Sequence, residues 1–318
     1  MSETAIFIFT KDRPQILWPT LDAVLTTNHS IFLVDDSNKV EHQYTNAGFC
    51  ELAANSHYLG QQAFENLIAS IYGRWSRYPT DIFRNLGHPE WNLGYARNFA
   101  LQYAKSCDFS RVLFIDDDII PSVKTVDEVF EALHDYDFAG ANITGLTDDS
   151  IVGHVTSALN MPQGRMLSGG FLSFKPKKTN FMFLNCYNED WIWLCLELCN
   201  KKCVRKGEVH QQLADPFDGC ESKIAFQEFG EVVFDGVSTL GLANNCDLLA
   251  TESYWQPIIT ERIGYLNDLE MLAASAHELR YQSILHEAKS VATSLSAKSF
   301  AALFENYITS LRSLCSLT

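Results

Sequence analysis

Arg111-Val112-Leu113-Phe114-Ile115-Asp116-Asp117-Asp118 is the stretch that decides the fold. Val112 to Ile115 form the continuous apolar run that a strand buried on both faces requires. Consecutive carboxylates repel one another, so ending such a strand with Asp116, Asp117 and Asp118 costs stability unless something cationic sits there. Asp116 and Asp118 lie two apart, and an extended backbone sends both side chains to one side. Such a pair can bind Mn2+ or Mg2+ and leave coordination positions for diphosphate oxygens. The competing reading is a solvated turn with helix-capping aspartates, because Pro121 and a helix follow.

Working outward, Ala5 to Phe9 and Ile31 to Val34 read as two further buried strands, the second ending in Asp35-Asp36-Ser37. Between them Pro14 opens a helix marked by Leu17, Leu21, Val24 and Leu25. Helices are predicted over Leu59–Tyr72, Tyr95–Lys105 and Val126–Leu133, and a strand over Phe138–Ile143. This alternation argues for an α/β fold, a mostly parallel sheet flanked by helices. In open sheets of that kind ligands bind beyond the carboxyl ends of the strands, where both acidic clusters fall. Ser168-Gly169-Gly170 lies in a strand-like run, Tyr187 to Asn200 reads as a Trp-rich amphipathic helix, and residues 203–235 as loops and short strands. From about Thr260 the chain turns helical, with Ile263, Leu266, Leu269, Leu272, Ala276 and Leu279 on one face and a second helix over Ala297–Leu314. The expected division is a catalytic domain over 1–250 and a C-terminal helical appendage over 251–318.

Lys and Arg number 24 against 39 Asp and Glu, a net charge of −15. Such a surface repels nucleic-acid backbones and anionic lipids, so no nucleic-acid partner is expected. The nine Cys show no framework spacing, and neither a secretory leader nor a transmembrane segment is read in the chain. A cytoplasmic setting is expected, with peripheral membrane association as the alternative. Cys195, Cys199 and Cys203 recur along one predicted helix face and read as small buried apolar residues rather than a zinc site.

Five further segments could carry chemistry. Thr10 and Arg13, after the first strand, suit nucleotide or phosphate contacts near a helix N-terminus. A carboxylate of Asp35 or Asp36 could accept hydrogen bonds from a base or a ribose, although a turn or cap explains the same residues. In Asn92-Leu93-Gly94-Tyr95-Ala96-Arg97-Asn98, Gly94 allows close approach of a ligand, and Arg97 or Asn98 could hold phosphate or sugar. Glu189 and Asp190 open an apolar helix beside Trp191, so one could act as a general base while the ring stacks on a sugar; first-turn acids at a helix dipole are the plain alternative. His210 could supply a third metal ligand or be an ordinary surface histidine.

Taken in order over roughly residues 5–235, these pieces resemble family 2-like glycosyltransferases of the GT-A fold. The resemblance implies Thr10 and Arg13 at the nucleotide, Asp36 with Asp35 beside it at the base, and Gly94, Arg97 and Asn98 near the donor. It further implies an Asp116/Asp118 pair, with Asp117 between, that binds ribose, metal and diphosphate, Asp190 as catalytic base with Glu189 as second choice, and His210 as an added metal ligand. The expected co-substrate is a UDP- or GDP-sugar, the acceptor a carbohydrate or other hydroxyl, and the outcome inversion. Loops near 144–165 and 205–230 would shape the acceptor pocket, and the C-terminal helices could form a homo-oligomer. A sugar-phosphate nucleotidyltransferase and a catalytically inactive sugar-binding protein are the rival readings. The glycine- and Lys/Arg-rich phosphate loop of the former is missing after the first strand.

Overall fold

A computed structural model describes residues 3–60, 93–145, 150–162, 167–198, 201–212, 217, 220–240 and 246–315. Strands β1 (Thr4–Thr10), β2 (Ser30–Asp35), β3 (Ser56–Leu59), β4 (Arg111–Asp116), β5 (Ile119–Ile120), β6 (Phe138–Gly145), β7 (Phe171–Phe174) and β8 (Cys203–Gln211) form one sheet in the order β3-β2-β1-β4-β7-β6-β8-β5. The β3-β2-β1-β4 half is parallel, as is β6 with β8; β7 runs antiparallel to both β4 and β6, and β5 antiparallel to β8. This is the mostly parallel α/β sheet that the alternation of elements predicts.

The period of two along β1 sorts its side chains between two helical layers. Phe7 and Phe9 pack with Phe99 and Ala100 of α3 (Leu93–Ser106) and with Trp193 of α6 (Glu189–Glu197). Ile6 and Ile8 face the other way, against Leu17 and Leu21 of α1 (Pro14–Leu25) and Val126 and Val129 of α4 (Val123–Ala132). Both faces are covered, so all seven residues of β1 are buried. Helices α2 (Val40–Cys50) and α5 (Ile151–Ala158) complete this part.

Helix α6 is buried on two sides. Trp193 and Leu194 face the sheet, while Ile192 and Leu196 face a helical layer of α7 (Cys220–Leu240), α8 (Glu252–Ser275) and α10 (Ala297–Cys315). Helix α9 (Leu279–Ser294) joins that layer through a smaller cluster with α5, α7 and α8. Among the described residues no helix is long and apolar enough to cross a membrane.

Several sequence expectations are corrected. Leu59 ends strand β3 instead of starting a helix, and residues 61–72 lie outside the described residues. The stretch read as loops and short strands holds the nine-residue β8 and most of the 21-residue α7, which runs on to Leu240. Strand β8 is mostly polar and exposed, with a left-handed Gly207, so it lacks the alternation that marks a half-buried strand. The expected apolar face through Leu279 is broken: α8 stops at Ser275, His277 adopts a positive φ of 60°, and Leu279 is exposed. The face that α8 buries contains Ile259, Leu266, Leu269 and Ala273. Cys203 begins β8 and is exposed, so it does not share a helix face with Cys195; Cys199 lies outside the described residues.

Candidate active site

The carboxyl ends of β1, β2 and β4 lie side by side, with Thr10 opposite Asp35 and Phe9 opposite Asp116. The acidic triplet divides by direction. Asp117 turns inward and is fully buried. Its carboxylate accepts a hydrogen bond from the Thr10 hydroxyl at 2.7 Å and another from the Arg13 guanidinium, while its carbonyl accepts from the Thr20 hydroxyl at 2.7 Å. Burial nevertheless outweighs Arg13 and pushes its carboxyl up to about 7. Thr10 and Arg13, expected at a nucleotide, thus have partners inside the protein.

Asp116 and Asp118 flank it with partly exposed side chains, each 20% accessible. Arg97 donates to both oxygens of Asp116, at 3.0 and 3.1 Å. Asp118 receives the Gln211 amide at 3.4 Å and lies 4.0 Å from Arg13. Burial first, and then the charge of Asp116, raises the Asp118 carboxyl above its usual range. Asp116 and Asp118 are two hard oxygen donors of the kind that could hold a divalent cation. Among the described residues no three His, Cys, Asp or Glu side chains gather into a metal site. His210 sits exposed on β8 opposite Ile120, its ring against Gly145, while Gln211 is the β8 side chain that reaches Asp118.

Arg97 is the hub of the site. It is 1% exposed on α3, with Glu189 at 3.0 Å and Asp190 at 3.9 Å in addition to Asp116. Burial opposes its charge, but Asp116, then Glu189 and Asp190, hold the guanidinium above its ordinary range. The Glu189 contact is close, yet its angle does not make a hydrogen bond. Burial pushes the Glu189 carboxyl up to about 8, against the pull of Arg97. Asp190 is anchored by two backbone N–H donors, Gly169 at 2.5 Å and Trp191 at 2.8 Å. Arg97, Asp116, Ser168, Glu189 and Asp190 line one cleft with Leu93, Tyr187, Asn188 and Trp191, which with its open mouth encloses about 390 Å3.

The other predicted residues lie elsewhere. Asp35 is buried, with its carboxylate accepting from the Ser37 backbone, Asn46 and Tyr58 at 2.8–3.0 Å. Asp36 lies 3.5 Å from Lys11. Asn98 exchanges two 2.8 Å hydrogen bonds with the Phe183 backbone, and a Cβ on Gly94 would collide with the Leu184 carbonyl. Those two hold α3 against the segment leading into α6; Asn92 lies outside the described residues. Sequence reasoning missed Gln211, Thr20 and Asn188, whose roles depend on contacts distant in sequence.

No known protein-family profile and no curated protein matches the chain. Solved structures do. It is similar to Staphylococcus aureus TarS residues 1–349 in complex with UDP-GlcNAc, at 12% identity and TM-score 0.46, over 97% of this chain and 92% of that one. A Desulfovibrio desulfuricans G20 protein assigned as a nucleotide-diphospho-sugar transferase is 10% identical at TM-score 0.40, over 67% and 83% of the two chains. The galactosyltransferase LgtC, with donor and acceptor sugar analogues, is 13% identical at TM-score 0.32, over 54% and 58%.

Proposed function

We propose that the chain is a metal-dependent glycosyltransferase that moves a sugar from a UDP- or GDP-sugar to an acceptor hydroxyl with inversion. The observation that carries this reading is Arg97, whose guanidinium lies within 3.0–3.9 Å of Asp116, Glu189 and Asp190 in one cleft. A carboxylate suited to metal and diphosphate and a carboxylate suited to proton abstraction thereby share a single site. The catalytic unit is taken as residues 1–250 and the helical appendage as 251–318.

Asp190 is the better base of the acidic pair. Glu189 keeps its proton up to about 8 and so has little capacity to accept another at neutral pH. Asp190 is aimed by the N–H groups of Gly169 and Trp191, and its side chain remains 14% exposed. In the proposed reaction Asp190 takes the proton of the acceptor hydroxyl as that oxygen attacks the anomeric carbon. Arg97 keeps Asp116 and Asp190 in fixed relation, and Trp191 offers a ring face to a sugar. A divalent ion held by Asp116 and Asp118 would neutralise charge on the departing nucleoside diphosphate. Asp36 is the candidate contact for the base, and Arg13 for phosphate.

Asp190→Asn tests the assignment. Turnover in a nucleotide-sugar donor screen should fall by at least about a hundredfold while calorimetry still detects donor binding. Wild-type turnover in that variant would place the base elsewhere. Thermal stabilisation by a nucleoside triphosphate plus a sugar phosphate, in place of a nucleoside diphosphate, would favour a nucleotidyltransferase.

A further inference from the structure

Asn188, the residue before α6, is held in a left-handed conformation (φ 60°, ψ 24°) and lines the cleft. An Asn at this position ordinarily turns its side chain onto its own helix as a cap. Here it makes no cap. Its amide instead donates to Glu231 of α7 at 3.3 Å.

Everything around that contact presses α7 against the segment that carries the proposed base. Gly230 lies so close to the Tyr187 carbonyl that a Cβ there would overlap it. One turn to either side, Phe226 packs on the Tyr187 ring at 6.2 Å between centroids and Phe234 on Trp191 at 5.4 Å. Glu231 is itself held from behind. Arg262 of α8, 6% exposed, donates to its second oxygen at 3.4 Å and grips Glu228 through two bonds of 2.8 and 2.9 Å. A continuous path thus runs from Arg262 through Glu231 and Asn188 to the first turn of α6.

We propose that Glu231 is a positioning residue, which fixes the left-handed Asn188 and through it the direction of the Asp190 carboxylate. The role of Asp190 rests on the transferase reading above; the brace itself does not. It gives the helical layer a part in the site: α8 reaches the chemistry through Arg262 and α7 without touching a substrate.

The test compares Glu231→Ala with Glu231→Gln, whose amide oxygen can still accept from Asn188, in the full-length protein. Two readouts are needed: donor hydrolysis with kcat and KM separated, and hydrogen exchange of the amides over 187–192. In Glu231→Ala, kcat should fall roughly ten- to a hundredfold, the scale of a small misplacement, with the donor KM within about twofold. Exchange at the Trp191 and Ile192 amides should rise, and Glu231→Gln, which keeps an acceptor for Asn188 but turns its NH2 toward Arg262, should recover most of both. A purely structural residue would lower the melting temperature and leave kcat per folded molecule and this local exchange as in wild type, and that result would overturn the proposal. Faster exchange in Glu231→Ala alone, in a protein whose wild type turns over no nucleotide sugar, would support the brace and refute the transferase reading.

Discussion

Replacing Arg97 by Met keeps much of the side-chain volume and removes the charge at the centre of the site. Asp116 then loses two hydrogen bonds of 3.0 and 3.1 Å, and Asp190 loses a cation 3.9 Å away. Because Arg97 is only 1% exposed, water cannot take over its role. Removing one member of a buried ion pair costs about 3–5 kcal/mol, chiefly as the penalty of a charge left without its partner. The loss should grow with pH. Glu189 has its folded value raised to about 8 from 4.5, so its contribution to stability is fully present below 4.5 and is lost as pH rises through 8. Without Arg97 that value rises further, and the loss continues where the wild type has already released its proton. Urea unfolding followed by circular dichroism should show a destabilisation of about 3–5 kcal/mol at pH 7 and about 1 kcal/mol more at pH 9. A loss under about 1 kcal/mol at both pH values would refute the idea that Arg97 holds these carboxylates together.

Gly94→Ala would drive a methyl group into the Leu184 carbonyl, and a clash against backbone should cost about 1–3 kcal/mol in a thermal or urea melt; an unchanged midpoint would mean that α3 is not pressed against that segment. Asp235, with a side chain still 38% exposed, is pushed up to about 7 from 3.8 by partial desolvation against the pull of Arg262, so its contribution, reduced by solvent screening, is complete below 3.8 and lost as pH rises through 7. Asp235→Asn should therefore gain in melting temperature relative to wild type between pH 5 and pH 8, and a constant difference across that range would contradict it.

The parts of the fold that were legible in the sequence are those where burial is two-sided. Strands β1, β2 and β4 are continuous apolar runs because helices cover both of their faces. Helix α7 was hidden by its own packing: Gly230 and Gly236 serve close approach to Tyr187 and Trp255, but in sequence they read as breaks. In the site, Asp116 and Asp118 are partly exposed around a buried Asp117, but the strand ends at Asp116 and residues 117–118 form a turn. The extended backbone assumed from the spacing is therefore not what places them, and the expectation of Asp117 at the cofactor did not foresee its burial. Nor could the spacing reveal that Thr10 and Arg13 close over Asp117, since those partners lie more than a hundred positions away in the chain. Likewise Arg97 read as one phosphate-binding candidate among several, whereas its burial among three acids makes it the residue that joins the cleft.

The most direct measurement is calorimetric titration of UDP and GDP into the protein with and without Mn2+, repeated on Asp118→Asn. One nucleotide should bind the wild type only when the metal is present, and the variant should lose that binding while keeping the wild-type circular dichroism spectrum. Binding that ignores the metal, or an Asp118→Asn variant that binds as tightly as wild type, would contradict a site in which Asp116 and Asp118 hold a diphosphate through a divalent ion.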